Sequence, residues 1–277
     1  MLQYARSRDA ADLASCLRDN VVQLTPDWAT MLRALPALGR IRSLTGNGTA
    51  VLECRGQCRC IQIDGAAALM IGRDMELRLS IEAWRAAFAA REPIGDHVRH
   101  SLQVFDAIGH AVHKLYLTDQ SDRTAFDTLV LSLAAEDRPL AFAAPPAPHR
   151  IAVPLARPVS RDAGRLVLTA ASAQAIPLTI AVANDGATQS HTGTIARVVA
   201  VGPWLCAIGA DFVLRLHLDR VGGAGIVDHG PACRNGALAI VFHDHDGAVI
   251  ASISGVRGLA GQEDPAWRGL CATVRDR

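Results

Sequence analysis

Residues 71–79 read IGRDMELRL, and residues 208–216 read IGADFVLRL, an offset of 137. The same offset carries Asn47 to Asn184, Gly56 to Gly193, Gly72 to Gly209 and Asp74 to Asp211. It continues from Val104-Phe105 to Val241-Phe242, after which one insertion aligns Gly109 with Gly247. A single register held this long reads as an internal duplication. The first copy lies near 26–135 and the second near 174–277.

Within each copy the pattern is that of strands. Glu76-Leu77-Arg78-Leu79 and Val213-Leu214-Arg215-Leu216 alternate with period two, so leucine and arginine face opposite ways. Asn47-Gly48 separates two short apolar runs, and both residues tolerate the positive φ of a tight hairpin. Asp106–Gly109 and Asp244–Gly247 read as equivalent hairpin turns, each followed by an apolar strand. Helical spacing is read at Trp28, Met31, Leu32 and Leu35, and again at Trp84, Ala87 and Phe88. It recurs at Phe126, Leu129, Val130 and Leu133 after a Ser121 cap, and at Trp267, Leu270, Cys271 and Val274. Residues 138–165 hold six of the 13 prolines, which remove amide donors and disfavour helix before them. The expected fold is α+β: a tandem repeat in which each copy is an antiparallel sheet with flanking helices. Its divisions are an N-terminal helical segment at 1–25, a first repeat at 26–137, a Pro-rich linker at 138–169 and a second repeat at 170–277.

Composition narrows the function classes. Half of the 277 residues are hydrophobic and the formal net charge is +1, which opposes disorder and a phosphate-binding, nucleic-acid role. No apolar stretch approaches the roughly 18–20 residues of a spanning helix, and no secretory leader is read at the N-terminus. Seven cysteines, an odd number, then imply reduced thiols and a cytoplasmic location. Cys54, Cys58 and Cys60 share a strand parity, a row of buried small hydrophobes rather than a converging zinc site. His243-Asp244-His245-Asp246 sits on a turn whose side chains diverge, and His110 and His113 fall on opposite strand faces. No nucleophile elbow, Walker loop or zinc-protease motif is present. Residue chemistry alone names no reaction.

Longer strings carry a family likeness. DWATMLRALPALGRIRSLTGN (27–47), DMELRL (74–79) and RHSLQVFDAIGHAVHKLYL (99–117) resemble the first half of the cytoplasmic haem-utilisation proteins HemS, ChuS, PhuS and HmuS. IPLTIAVANDGATQSHTG (176–193), GPWLCAIGADFVLRLHL (202–218) and IASISGVRGLAGQEDPAWRGL (250–270) resemble the second half. The resemblance implies haem as ligand or cargo, held by an axial histidine, with an arginine on the open side of the iron. It also implies basic residues and a tyrosine of the second half at the propionates and ring edge.

Transferred residue by residue, the resemblance places Arg99 at the open-side arginine and Arg257, in ISGVRG, at the arginine of a YGxR-like stretch. The tyrosine position reads Ser254, and a basic run reads Asp228-His229-Gly230-Pro231. Cys206 and Val213 stand where the family has asparagines. The helical segment that carries the family's axial histidine has no counterpart. In its place the Pro-rich stretch offers His149 as a substitute iron ligand, the alternative being an exposed linker histidine. The plainer role for Arg99 and Arg257 is ion pairing on a strand surface, and for Trp204 a packing anchor. The expected function is a haem-binding and trafficking protein of bacterial iron acquisition, with a haem importer or haem oxygenase as partner. A haem-degrading enzyme, which needs an axial donor, and an interaction module that no longer binds haem are the alternatives.

Overall fold

The computed structural model describes residues 20–135, 157–159, 162–228, 238–256 and 262–275. The chain forms two compact units. The first comprises Met1–Gly46, Glu53–Pro146 and Asn184–Gln189; the second comprises Asn47–Leu52, Ala147–Ala183 and Ser190–Arg277. Each therefore includes a short hairpin segment from the other half of the sequence.

The first copy runs β1 (Val21–Leu24), α1 (Trp28–Ala34), β2 (Gly39–Gly46), β3 (Ala50–Gln57), β4 (Cys60–Asp64), β5 (Ala67–Ile71), β6 (Met75–Ser80), β7 (Trp84–Ile94), β8 (His97–Asp106), β9 (Ala111–Ser121) and α2 (Arg123–Leu133). The second repeats this order as β10 (Arg157–Val159), α3 (Ala163–Ala173), β11 (Leu178–Asn184), β12 (Ala187–Gly193), β13 (Ile195–Val201), β14 (Trp204–Gly209), β15 (Phe212–His217), β16 (Gly223–Asp228), β17 (Leu238–His243), β18 (Val249–Gly255) and α4 (Pro265–Arg275). In the first unit β1, β7, β8, β9 and β2 are successive antiparallel neighbours. In the second, β10, β16, β17, β18 and β11 repeat that order. The meanders β4–β5–β6 and β13–β14–β15 are likewise equivalent. The fold is α+β with a tandem repeat.

Local chemistry explains the punctuation. Gly109 and Gly247 have φ of 86° and 84°, and the preceding Asp106 and Asp244 carboxylates cap equivalent turns. Asp27 caps α1 by accepting from the Thr30 amide at 3.0 Å. The α2 cap is Asp122, not Ser121: Asp122 accepts from the Ala125 amide at 2.9 Å, while the Ser121 hydroxyl donates to the Arg40 carbonyl. On α4, Trp267, Leu270, Cys271 and Val274 are buried as their spacing requires, and the Trp267 indole donates to the Leu238 carbonyl at 2.9 Å.

Three element expectations are corrected. Trp84, Ala87 and Phe88 lie on strand β7, which is buried on both faces; a continuous apolar run also satisfies helical spacing. The described part of the N-terminal segment is strand β1 rather than helix. The Pro-rich linker proposed for 138–169 includes β10 and the start of α3. Pro158 is accommodated because β10 has a single neighbour in the order, β16, as an edge position allows.

The repeats are tied by matching asparagines. In the second unit Asn47 Nδ2 donates to the carbonyls of Ala183 at 2.8 Å and Ile250 at 2.7 Å. In the first unit Asn184 Nδ2 donates to Gly46 at 2.9 Å and Val112 at 2.8 Å. Each side-chain oxygen also caps its own hairpin turn. The cores nevertheless diverge. In the first unit Ser43, Thr45, His113 and Gln189 form a buried hydrogen-bonded cluster. The corresponding residues of the second unit, by the repeat offset, are the buried Ile180, Val182, Ala251 and Leu52.

Candidate ligand-binding site in the first unit

Strands β7 and β8 pair Glu92 directly with Arg99, so the two side chains leave the sheet on the same face. They form a partly buried, charge-assisted ion pair. The Arg99 guanidinium lies 5.0 Å from the Tyr116 ring centre, and that of Arg42 lies 5.1 Å away. Arg42 in turn stands 3.8 Å from Glu53. Gln103 donates to the Ser101 hydroxyl at 3.0 Å and approaches Glu92 at 3.5 Å. Burial pushes the Tyr116 phenol up to about 12, ahead of the opposing pull of Arg99, so the hydroxyl stays protonated.

His100, the next residue on β8, turns to the other face and meets Phe126 of α2 edge-on at 5.9 Å. Its Nδ1 lies 3.2 Å from Arg123 Nη1 and 3.2 Å from the Val98 carbonyl. The guanidinium only donates and the carbonyl only accepts, so the ring tautomer selects which of the two contacts Nδ1 makes. Burial, followed by the charge of Arg123, lowers the His100 pKa and keeps the ring neutral. Nε2 is itself buried and has no hydrogen-bond partner.

Of these residues, Arg42, Val98, Arg99, His100 and Arg123 border a cleft of about 460 Å³. Arg42, His97, Arg99, His100 and Arg123 supply nitrogen donors, while Ile94, Val98 and Leu117 supply apolar surface. Among the lining residues Asp119 is the one acid, and it is exposed. The arrangement suits an anionic group attached to an apolar body. Of the sequence-derived candidates, Arg99 lies here; Arg257 and His149 lie outside the described residues. Arg42, His100 and Arg123 were missed. His100 follows Arg99 directly, but its role depends on α2 packing across it.

The remaining candidates are structural where described. Cys54 and Cys58 are buried, but Cys58 falls between β3 and β4 and Cys60 is exposed, so the three form no continuous buried row. Burial pushes the Cys58 thiol to about 11 and the Cys271 thiol to about 12. Asp228 is exposed at the end of β16, and Ser254 is buried on β18. Trp204 packs edge-on against His217 at 4.8 Å. Among the described residues, no group of three His, Cys, Asp or Glu side chains is placed to hold a metal. No described helix is long and apolar enough to cross a membrane.

The duplication and the cleft meet a specific family likeness. Residues 7–133 and 147–274 each match the haemin-degrading HemS.ChuX domain. The chain belongs to the HemS.ChuX family. Among HemS.ChuX relatives, the hemin transport protein HemS of Yersinia enterocolitica is 25% identical, over 92% of this chain and 86% of its own length. Holo-PhuS, described as a haem-binding protein from Pseudomonas aeruginosa, is 26% identical and superposes with a TM-score of 0.87 over 96% of this chain and 90% of its own. ChuS of Escherichia coli O157:H7, described as a haem-degrading enzyme, shares the fold at 24% identity and a TM-score of 0.84, over 96% of this chain and 90% of its own.

Proposed function

We propose that this protein binds haem and carries it within a bacterial haem-uptake and iron-acquisition route, delivering it in the cytoplasm to a partner such as a haem oxygenase. The observation that carries the reading is the match to holo-PhuS, a haem-binding protein, across 96% of the chain. The cationic cleft with an apolar rim supports it, because haem presents carboxylates on an apolar ring.

Arg257 and His149 enter this reading as a ring-edge contact and an axial donor to iron. Transport is favoured over degradation by the pairing of Arg99. A guanidinium already neutralised by Glu92 and lying against Tyr116 supplies little charge to a ligand on iron. The second reading, oxidative haem degradation, is favoured by the family to which the chain belongs.

Titration of the full chain with hemin, followed at the Soret band, tests binding. A saturable spectrum unlike that of an unrelated control protein is expected, and its absence overturns the proposal. A changed spectrum in His149→Ala identifies the iron ligand; an unchanged one removes His149 from that role. Adding reductant and oxygen to the complex separates the two readings. Haem recovered intact agrees with transport, whereas stoichiometric ring-opened product with release of carbon monoxide establishes degradation.

A further inference from the structure

We propose that strand β13 is a self-association edge, which pairs antiparallel with β13 of a second copy of this chain to form a two-fold dimer. The starting observation is how the ends of the sheets are treated. Among the described strands, β1, β4, β10 and β13 each have a strand neighbour on one side only. An open edge offers a row of amides and carbonyls to any other strand. Three of these edges are blunted. The outer side of β1 is met by the chain after α2, where the Ala135 amide donates to the Gln23 carbonyl at 3.0 Å and Ala134 bridges Leu24. β10 carries Pro158. β4 exposes Cys60, Gln62 and Asp64.

The duplication makes β13 the counterpart of β4, and the two have diverged. At the repeat offset Gln62 corresponds to Val199 and Asp64 to Val201. β13 is also the longer, at seven residues against five, and it exposes Ala196, Arg197, Ala200 and Val201. The amide and the acid that discourage pairing in the first copy are therefore replaced by apolar, β-branched side chains.

Local geometry fixes the register of a self-pair. Val201 and Trp204 flank the two-residue turn Gly202-Pro203, with Gly202 at φ 57°. They face each other across the hairpin, and backbone direction alternates from there. Val201, Val199 and Arg197 turn their amides and carbonyls to β14, and those of Ala200 and Val198 point outward. Centring the two-fold axis on Val198 sets Arg197 against its own copy, and centring it on Ala200 runs Val198 into the turn. Centring it on Val199 lets Val198 and Ala200 exchange hydrogen bonds in both directions, with Val199 against Val199 and Arg197 against Val201. No like charges meet in this register, and the isologous contact closes at two chains. A single strand pair is a small interface, so the dimer is weak and depends on concentration.

Sedimentation equilibrium of the full-length protein over roughly 1–200 µM tests the proposal. The wild type is expected to approach twice the chain mass at the upper end. Ala200→Pro removes an outward amide, and Val201→Arg places a cation against Arg197 of the partner subunit; each is expected to weaken self-association about tenfold or more. Adding Arg197→Glu to Val201→Arg restores opposite charges and is expected to recover the dimer, a result specific to this register. All three positions are exposed, and circular dichroism verifies folding. If the wild type stays monomeric, the second-copy assignment falls and the edge is left to an extended segment of another protein. A dimer that withstands both single substitutions, a double variant that fails to recover, or growth beyond two chains equally overturns the assignment.

Discussion

The buried cluster around His113 yields a quantitative prediction because the duplication supplies its own control. Four contacts link Ser43 and Thr45 to His113 and Gln189, at 2.8–3.2 Å. The two hydroxyls and a neutral imidazole provide three protons for four contacts, and an imidazolium provides four. That extra hydrogen bond is worth about 1 kcal/mol, whereas burying the charge costs several. Burial wins, and the His113 pKa falls from 6.5 to about 4. Between these values the unfolded chain binds a proton that the folded protein refuses, so stability rises with pH over this window. The contribution amounts to about 3 kcal/mol, present above pH 6.5 and lost as pH falls towards 4. Replacing the cluster by its counterpart, Ser43→Ile, Thr45→Val, His113→Ala and Gln189→Leu together, is expected to remove this dependence. At pH 7.5 His113→Ala alone should cost about 2–4 kcal/mol, from lost hydrogen bonds and an unfilled site, and the fourfold variant should recover most of it. Urea unfolding of all three proteins from pH 7.5 to 4.5 measures both effects. Parallel pH profiles for the wild type and the fourfold variant would refute the reasoning.

Breaking the Arg99–Glu92 pair by Glu92→Ala is expected to cost about 2–3 kcal/mol, because a partly buried guanidinium loses its counter-charge. The double variant Glu92→Ala/Arg99→Ala should cost less than the sum of the single ones in denaturant unfolding. Asn47→Ala and Asn184→Ala each remove two donated and two accepted hydrogen bonds and should each destabilise the protein by about 2–4 kcal/mol. Similar losses at the two positions, read from unfolding midpoints, would agree with their equivalent roles. In native protein at pH 7.5, Cys60 should react readily with a thiol reagent while buried Cys58 and Cys271 stay protected, a difference that peptide mapping detects and denaturation abolishes.

Much of this protein was legible one residue at a time. The repeat offset, the Asp-x-x-Gly hairpin turns and the spacing of Trp267, Leu270, Cys271 and Val274 depend on chain-local rules, which tertiary packing left intact. The misreading at Trp84, Ala87 and Phe88 has an equally definite cause. A strand covered on both faces loses its alternation, and the remaining apolar run fits either period. At the candidate site, Arg99 emerged from a family likeness, but its partners Glu92 and Tyr116 are set by strand pairing.

By itself, the sequence determined that the chain is a duplicated, mostly antiparallel α+β protein, because repetition and periodicity are properties of order along the chain; its longer motifs carried the resemblance to the HemS, ChuS, PhuS and HmuS proteins. Only the tertiary structure decided that equivalent core positions are polar in the first unit and apolar in the second. It alone decided, too, that Arg42, His100 and Arg123 gather around one cleft although they are 81 residues apart at the extremes. Hydrogen-bond satisfaction and the sharing of a cleft are relations among residues far apart in sequence, fixed by sheet register and helix packing. No local pattern encodes them.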